Sequence, residues 1–288
     1  MKLNIIVLAK QVPDTRCVDA AKMNADGTIN RSALPAIFNP DDLAALELAL
    51  RLKDENPGSV VSVLTMGPER AADILREALY RGADKGILLC DAVFAGSDTL
   101  ATSYVISSAV RKLGMFDVVV CGRKTIDGET AQVASQVACM LGIPQLTSVR
   151  EASLSGDGRV RAVHSVDGGV QTVEASLPLL LSVEGSAVQC RPRNAYRMLR
   201  FHRAATAKEQ GREGYRYAAE VLKDEALNLL ELDAKAIGCD LFRCGLAGSP
   251  TKVKNVSGIS FKAKDCRHYT SSDEDIEAFV GELSELIQ

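Results

Sequence analysis

A loop of charged and small residues, Gly122–Thr130, has the residue types best suited to holding an anionic ligand. A helix is predicted to follow it. The unpaired backbone N–H groups at a helix start, together with the positive end of the helix dipole, suit a phosphate. Gly128 lets the backbone come close to a ligand because it has no side chain, and Arg123 and Lys124 add positive charge. The loop is therefore a candidate phosphate site.

Ordinary local structure is an alternative explanation for the same loop. Any connection between a strand and a helix needs a flexible residue and a cap. Asp127 and Thr130 are common capping residues, and Glu129 suits the first turn of a helix without any ligand. The two acidic side chains would also repel a phosphate. The residues alone leave both interpretations open.

A buried strand and an amphipathic helix are predicted to position this loop. Val118–Cys121 is a short apolar run of mostly β-branched residues, typical of a strand buried on both faces. Thr130–Leu141 places its apolar residues on one side of a helix, and Gly142 is a suitable stop. Strands and helices alternate before this point as well, which predicts an α/β fold with a parallel sheet covered on both faces. The other early elements are strands at Leu3–Leu8, Ser59–Leu64 and Gly86–Cys90, and helices that begin at Asn39, Glu69 and Ser97.

Ligands of such sheets bind at the carboxyl ends of the strands, which here means Ala9, Met66 and the Gly122–Thr130 loop. Two common nucleotide motifs are missing. A dinucleotide dehydrogenase usually carries Gly-x-Gly-x-x-Gly after its first strand, and an ATP pyrophosphatase carries Ser-Gly-Gly there; the sequence has neither. The sequence therefore argues against both of these enzyme classes.

The helix that begins at Asn39 has a strong start signal. Asn39 can cap it, Pro40 fits the first helical position, and Asp41 and Asp42 favour the positive end of the helix dipole. These roles explain all four residues without a ligand, so their position alone does not make them functional.

The character of the chain changes after Pro144. A hairpin with its turn at Val166–Gly169 is predicted, followed by an apolar strand at Leu177–Val183. Residues 189–217 are basic and lack apolar periodicity, so they form either a solvated segment or a docking loop. Helices are predicted at Glu220–Leu232 and Ser272–Ile287. We therefore expect an α/β domain over residues 1–185 and a partner-docking loop with a C-terminal helical arm over residues 186–288.

Composition excludes several classes of protein. Of the 288 residues, 47% are hydrophobic and 25% charged, which is typical of a globular chain with a sizeable core. The net charge of −3 argues against nucleic acid as a partner, and no apolar run approaches the ~20 residues of a membrane span. The eight cysteines form no Cys-x-x-Cys pair and the three histidines are far apart, so we expect reduced thiols, no metal site and a cytoplasmic location.

The sequence resembles the beta (small) subunit of electron-transfer flavoproteins over about residues 1–185. The long loop motif is the specific part of the resemblance, and the shorter motifs occur in the matching order. The matching segments are Lys10–Pro13, Asn39–Asp42, Gly82–Asp84, Cys121–Gln132, Val166–Gly169 and Leu177–Pro178.

The resemblance implies a Rossmann-like, adenine-nucleotide-binding fold with an added β-hairpin. It also implies a heterodimer with a larger alpha subunit that holds FAD. Such a heterodimer exchanges electrons with partner dehydrogenases, and this chain would hold AMP or a second FAD. Such a subunit carries electrons through flavins and is not a catalyst acting alone. The positions that match the family's nucleotide contacts are Ala9, Asn39, Pro40, Asp41, Asp42, Met66, Gly122, Arg123, Thr125, Ile126, Asp127, Gly128, Glu129, Thr130, Gln132 and Val133.

Details of the resemblance bear on the nucleotide and on the partner. AMP-holding relatives resemble Gly-Lys-Gln-Ala-Ile-Asp-Asp-Asp in the loop, whereas Arg123 and Gly128 here are closer to the bifurcating-type members and favour a second FAD. Ala134-Ser135 departs from the Gly-Pro of that branch, and Gln189–Tyr196 departs from the family's Asn-Glu-Pro-Arg-Tyr segment. Two alternatives remain: a free-standing, stress-protein-like nucleotide sensor, and a structural subunit that has lost its nucleotide.

Overall fold

The computed structural model describes residues 1–14, 16, 34–251 and 267–287. The strands in this part of the chain are β1 (Asn4–Leu8), β2 (Gln11–Pro13), β3 (Ala36–Phe38), β4 (Val60–Met66), β5 (Lys85–Leu89), β6 (Val118–Gly122), β7 (Gln145–Leu154), β8 (Val160–Val166), β9 (Gly169–Ala175), β10 (Leu179–Val183), β11 (Ala205–Thr206) and β12 (Asn228–Leu232). The helices are α1 (Pro40–Glu55), α2 (Ala72–Arg81), α3 (Thr99–Leu113), α4 (Val133–Leu141), α5 (Ala195–Phe201), α6 (Ala207–Gln210), α7 (Ala218–Lys223), α8 (Gly245–Gly248) and α9 (Asp273–Ile287).

The main sheet has the strand order β11-β12-β5-β4-β1-β6-β10-β7-β8-β9. Neighbouring strands are parallel from β11 to β7, and the β7–β8–β9 end is antiparallel. The central strand β1 pairs with β4 and β6, with Ile5 opposite Val61 on one side and Val118 on the other. The strands β6 and β10 are buried along their whole length, as their continuous apolar sequences predict. The predicted parallel α/β fold is confirmed.

Helices cover both faces of this sheet and create two apolar cores. The side chains of β4 alternate between them: Val61 and Val63 face α1 and α2, whereas Leu64 faces α3 and α4. The α1–α2 layer contributes fully buried leucines such as Leu46 and Leu75. The carboxyl ends of β1, β4, β5, β6 and β10 therefore meet at one edge, between the two helical layers.

The predicted hairpin is confirmed, because Val166 pairs directly with Gly169 between β8 and β9. The strand β7 was not predicted. The dipeptide Asp26-Gly27, whose sequence predicts a hairpin turn, lies outside the described residues. The chain has no helix, within the part described, that is long and apolar enough to cross a membrane.

The predicted helix at Glu220–Leu232 is wrong. The chain there forms α7, a short turn at Glu225–Leu227 and the strand β12, which pairs in parallel with β5. The reason is a tertiary contact: Leu229 packs against Gly86 so closely that a Cβ on Gly86 would lie 2.7 Å from Cδ2 of Leu229. The strands β11 and β12 thus belong to the main sheet, and the division of the chain at residue 185 stays a prediction.

Candidate functional site

The loop between β6 and α4, residues 123–132, lies at the carboxyl edge near the middle of the sheet; we call it the β6–α4 loop. Ala9 and Met66 follow β1 and end β4 at the same edge. The backbone N–H of Ala9 donates to the carbonyl of Leu64 (2.9 Å), which holds the end of β1 against β4. The predicted site residues from these three segments therefore lie along one edge.

Asn39 fastens the β6–α4 loop to the start of α1. Its side chain is completely buried. The Nδ2 group donates to the carbonyl of Lys124 (2.9 Å), and Oδ1 accepts from the backbone N–H of Ile126 (3.2 Å). Asn39 makes no side-chain cap for its own helix, and Pro40 occupies the first turn. The predicted capping role is therefore wrong, because both polar atoms of the amide bond the loop instead.

Asp42 joins two strand ends. Its Oδ2 accepts from the backbone N–H of Lys10 after β1 (2.9 Å), and its Oδ1 accepts from the backbone N–H of Gly122 at the end of β6 (3.0 Å). The carboxyl group is buried, and burial raises the pKa of Asp42 to about 7 although both backbone bonds oppose this shift. Asp41 accepts a longer bond from the N–H of Lys124 (3.4 Å). Burial also raises the pKa of Asp41, against the opposing bond from Lys124.

Two glycines make room for these aspartates. A Cβ on Gly122 would lie 2.5 Å from Oδ1 of Asp42, and a Cβ on Gly185 would lie 2.1 Å from Oδ1 of Asp41. Both positions therefore require glycine for close packing. Gly128 differs, because the nearest atom to its would-be Cβ is Oγ1 of Thr125 at 3.9 Å. Its surroundings are open.

The acidic side chains of the loop are neutralised by lysines. Lys10 pairs with Asp127 (2.7 Å), and Lys124 pairs with Glu129 (2.9 Å). Burial acts to raise the pKa of Asp127, but bonds to the charged form from Lys10 and Thr125 outweigh it, so its pKa is lowered. The side chain of Arg123 is exposed and, within the part of the chain that the structure describes, has no carboxylate at ion-pairing distance. The loop thus keeps one unpaired cation, which answers the objection that its acids would repel a phosphate.

The backbone of the loop adopts an uncommon conformation for its residues. Glu129 and Ala131 have φ values of 50° and 53°, in the left-handed region that favours glycine. Each such residue costs roughly 1–2 kcal/mol. Left-handed residues alternating with ordinary ones turn successive N–H groups toward one concave side, a form that binds anions. Strain of this kind is kept where it serves a site.

The helix α4 begins at Val133, three residues later than the predicted start at Thr130. No side chain caps its first turn, so the alternative explanation of Asp127 and Thr130 as helix caps is wrong. Asp127 pairs with Lys10 instead, and Thr130 lies exposed in the loop. The N–H groups at the start of α4 are therefore not occupied by a side-chain cap.

Residues beyond the predicted set support the site. Thr99, at the start of α3, donates from its hydroxyl to Oε1 of Gln132 (3.1 Å), and Ser103 donates to Oε1 of Gln136 (2.9 Å). The backbone N–H of Arg123 donates to the carbonyl of Val183 (2.8 Å). Of these contacts, only that between Thr99 and Gln132 has a signal in the sequence, because Ser97-Asp98-Thr99 predicts a helix start. Within the described residues, no cluster of three or more His, Cys, Asp and Glu side chains is arranged to hold a metal ion.

Comparison with known proteins identifies the family. The model of the electron transfer flavoprotein domain matches residues 26–209. The electron transfer flavoprotein subunit beta of Megasphaera elsdenii is 36% identical over 293 residues, which cover 97% of this chain and 99% of its own length. The acryloyl-CoA reductase electron transfer subunit gamma of Anaerotignum propionicum is 42% identical, over 87% of this chain and 86% of that protein.

A third relative is the caffeyl-CoA reductase-Etf complex subunit CarD of Acetobacterium woodii, which is 44% identical over 62% of this chain and 68% of its own length. The domain match and the near full-length similarity agree with the parallel α/β sheet and its carboxyl-edge loop. The chain therefore belongs to the electron transfer flavoprotein family, as a beta subunit.

Proposed function

We propose that this chain holds an adenine nucleotide, FAD or AMP, against the β6–α4 loop and works in a heterodimer with a larger, FAD-carrying alpha subunit. One observation carries the proposal: two strained, left-handed residues, Glu129 and Ala131, lead into a helix whose first turn has no side-chain cap. Without a ligand this arrangement costs stability and gains nothing in return. An anionic group on the loop would use both features.

The residues divide into those that would contact the nucleotide and those that hold the loop. The exposed segment 128–132, the start of α4 at Val133 and the unpaired Arg123 would hold the phosphates. Ala9 and Met66 would line the neighbouring edge. Asn39, Asp41 and Asp42 use their polar atoms on the protein, which fits support of the loop better than direct contact. The flavin, when bound, supplies the electron-transfer chemistry.

A second FAD is favoured over AMP by the surroundings of Gly128. The 3.9 Å clearance at its missing side chain, with Arg123 unpaired nearby in the loop, leaves room and charge for a pyrophosphate. The Gly128→Asp variant should add a side chain and a negative charge there. Gly156→Asp, in the β7–β8 turn, is the matched control, because it adds the same charge where no atom lies within 4 Å.

The test is the mass and amount of nucleotide that the purified complex releases on denaturation. We expect two FAD per heterodimer in the wild type and in Gly156→Asp, and one in Gly128→Asp. One FAD and one AMP from the wild type would establish AMP in this chain. A complex that transfers electrons with no nucleotide in this chain would refute the proposed site, and a homodimer that binds ATP unaided would favour a stress-protein-like sensor.

Partner dehydrogenases are proposed to dock at α5. Tyr196 and Leu199, three residues apart on this helix, are 85% and 67% exposed. Arginines before the helix anchor the segment to the body: Arg191 pairs with Glu47 (2.8 Å) and Arg193 with Glu77 (3.2 Å). The apolar residues are thus held outward on a fixed helix, as a docking surface requires. Two of the relatives are named as subunits that serve acryloyl-CoA and caffeyl-CoA reductases, which supports enzymes acting on acyl-CoA compounds as partners.

The proposed location is the cytoplasm. Every cysteine in the described part of the chain is a free thiol. Free thiols are typical of a reducing compartment, which supports this assignment.

A further inference from the structure

Asp42 is a buried carboxyl group that accepts from two backbone donors and has the Asn39 amide beside it; within the described part of the chain, no cation lies at ion-pairing distance from it. Each of its oxygens accepts one N–H, from Lys10 at 2.9 Å and from Gly122 at 3.0 Å. These donors belong to the ends of the two adjacent strands β1 and β6, from which Ala9 and the β6–α4 loop continue. The Asp42 side chain therefore sets the spacing between Ala9 and the β6–α4 loop.

Only the ionised form of Asp42 can satisfy both donors well. A carboxylate offers strong acceptor sites on both oxygens, whereas a protonated carboxyl group has one carbonyl oxygen and one hydroxyl, which is a weaker acceptor. Protonation must therefore break or weaken one of the two bonds. A buried N–H that loses its partner costs about 1–3 kcal/mol, so the strand end would shift to find another acceptor.

We propose that Asp42 is a positioning residue whose ionised form sets the β6–α4 loop for nucleotide binding, so that affinity for the nucleotide falls as Asp42 takes up a proton. This inference rests on the proposed nucleotide site and adds its regulation by pH. The titratable and polar groups that face Asp42 and its neighbour Asp41 from the surrounding elements are Asn39, Cys121, Arg123, Lys124 and Glu184.

The surroundings place this proton uptake in the neutral range. Burial raises the pKa of Asp42 to about 7, and the nearby carboxylate of Asp41 acts in the same direction. Arg123 and Lys124 are cations that act to lower the pKa of Asp41, whereas burial is the largest influence on the pKa of Asp42. Burial also raises the pKa of the Cys121 thiol, so this neighbour stays neutral across the same range.

Asp98 provides a matched control. Its carboxylate also accepts two backbone N–H groups, from Ala101 and Thr251, both at 3.0 Å. The group is partly exposed; burial acts to raise its pKa, but the bonds from Ala101 and Thr251 together outweigh burial, so the pKa of Asp98 is lowered. Asp98→Asn should therefore weaken a helix cap without changing any event near neutral pH.

The experiment uses the full-length chain with AMP as the probe. Binding of AMP is measured by calorimetry from pH 5.5 to 8.5, and the backbone amide resonances of Lys10 and Gly122 are followed by NMR over the same range. We expect both resonances to titrate near neutrality and the affinity for AMP to fall about tenfold between pH 8 and pH 6, as one ionisation requires. In Asp42→Asn the two resonances should not titrate, and the affinity, near that of the wild type at pH 6, should change with pH only through the AMP phosphate, whose second pKa is about 6. The tenfold fall is the change in the wild type beyond this background. Asp98→Asn should keep the wild-type profile.

Three results would overturn the inference. Amide resonances that do not titrate in the wild type, or that titrate equally in Asp42→Asn, would remove Asp42 as the responsible group. Titration without any change in affinity would remove the positioning role alone. Failure to bind AMP, ADP or FAD at any pH would overturn the proposed nucleotide site together with this role. If Asp42→Asn does not fold, the wild type alone can still overturn the inference, through resonances that do not titrate or an affinity that changes no more than the AMP phosphate requires.

Discussion

Replacing Asn39 by alanine should separate the stability of the β6–α4 loop from that of the helix it precedes. The substitution removes two hydrogen bonds, to the carbonyl of Lys124 and from the N–H of Ile126. It removes no helix cap, because the Asn39 side chain caps nothing in α1. Each buried group left without a partner costs about 1–3 kcal/mol. Since Ile126 and Lys124 are only half-buried, we expect the free energy of unfolding to fall by about 2–4 kcal/mol in total.

Asn56→Ala is the matched control at the other end of α1. Its Nδ2 donates to the carbonyl of Leu52 (2.8 Å), far along the helix from the loop. Urea denaturation should show that both variants are destabilised, with the smaller loss in Asn56→Ala because one bond is removed. Nucleotide content of the purified complex should fall only in Asn39→Ala, since only this variant frees the loop.

This reasoning would be refuted if the free energy of unfolding and the nucleotide content did not fall together in Asn39→Ala. If Asn39→Ala loses stability as expected but keeps its nucleotide with unchanged affinity, the two hydrogen bonds of the Asn39 side chain do not position the nucleotide. If Asn39→Ala is as stable as the wild type, the two hydrogen bonds contribute less than their burial implies. Asn39→Asp should be worse than alanine, because its second oxygen would face the Lys124 carbonyl beside the buried Asp42.

Three further predictions concern single residues. Ala131→Gly should raise the free energy of unfolding by about 1 kcal/mol in urea denaturation, because glycine relieves the left-handed φ at this position. Gly142→Ala, at φ 71°, should lower it by a similar amount for the opposite reason. Effects of the same sign in the two variants would contradict the strain. Gly122→Ala should destabilise the fold by roughly 1–3 kcal/mol through contact with Asp42, while Gly128→Ala should change it by less than about 0.5 kcal/mol. Raising the pH from about 4 to 7 should lower the contribution of Asp42 to the free energy of unfolding by up to about 4 kcal/mol, because the folded state retains a proton there that the unfolded state has lost. Asp42→Asn should remove this dependence of the free energy of unfolding on pH. An unchanged pH dependence in the variant would exclude Asp42 as its source.

The alternating sheet and its helical layers were predictable because each early element carries its own apolar pattern. The position of the site was predictable for the same reason, since parallel strands bring their carboxyl ends together. The local conformation of the loop was not. Glu129 and Ala131 give no sign of a positive φ, and capping residues at Asp127 and Thr130 favoured a helix that begins too early. The side chain of Asp127 pairs with Lys10, which lies more than a hundred residues away in sequence, and is therefore not free to cap a helix.

The strand β12 shows the other limit of prediction from sequence. Its residues Asn228–Leu232 lie at the end of a stretch with helical periodicity, and nothing local marks them as a strand. They become one because β5 offers an open side and Gly86 leaves space for Leu229. Tertiary pairing of this kind overrides local preference.

The late pairing of β12 has a consequence for how the chain is made. Until residues 228–232 leave the ribosome, β5 is the last strand on its side of the sheet, and its apolar residues Ile87–Leu89 border an unpaired row of backbone groups. Such an edge is a template for joining another chain. A nascent or truncated product that ends before β12 should therefore aggregate through β5, so the pairing of β12 protects this edge of the sheet during biosynthesis.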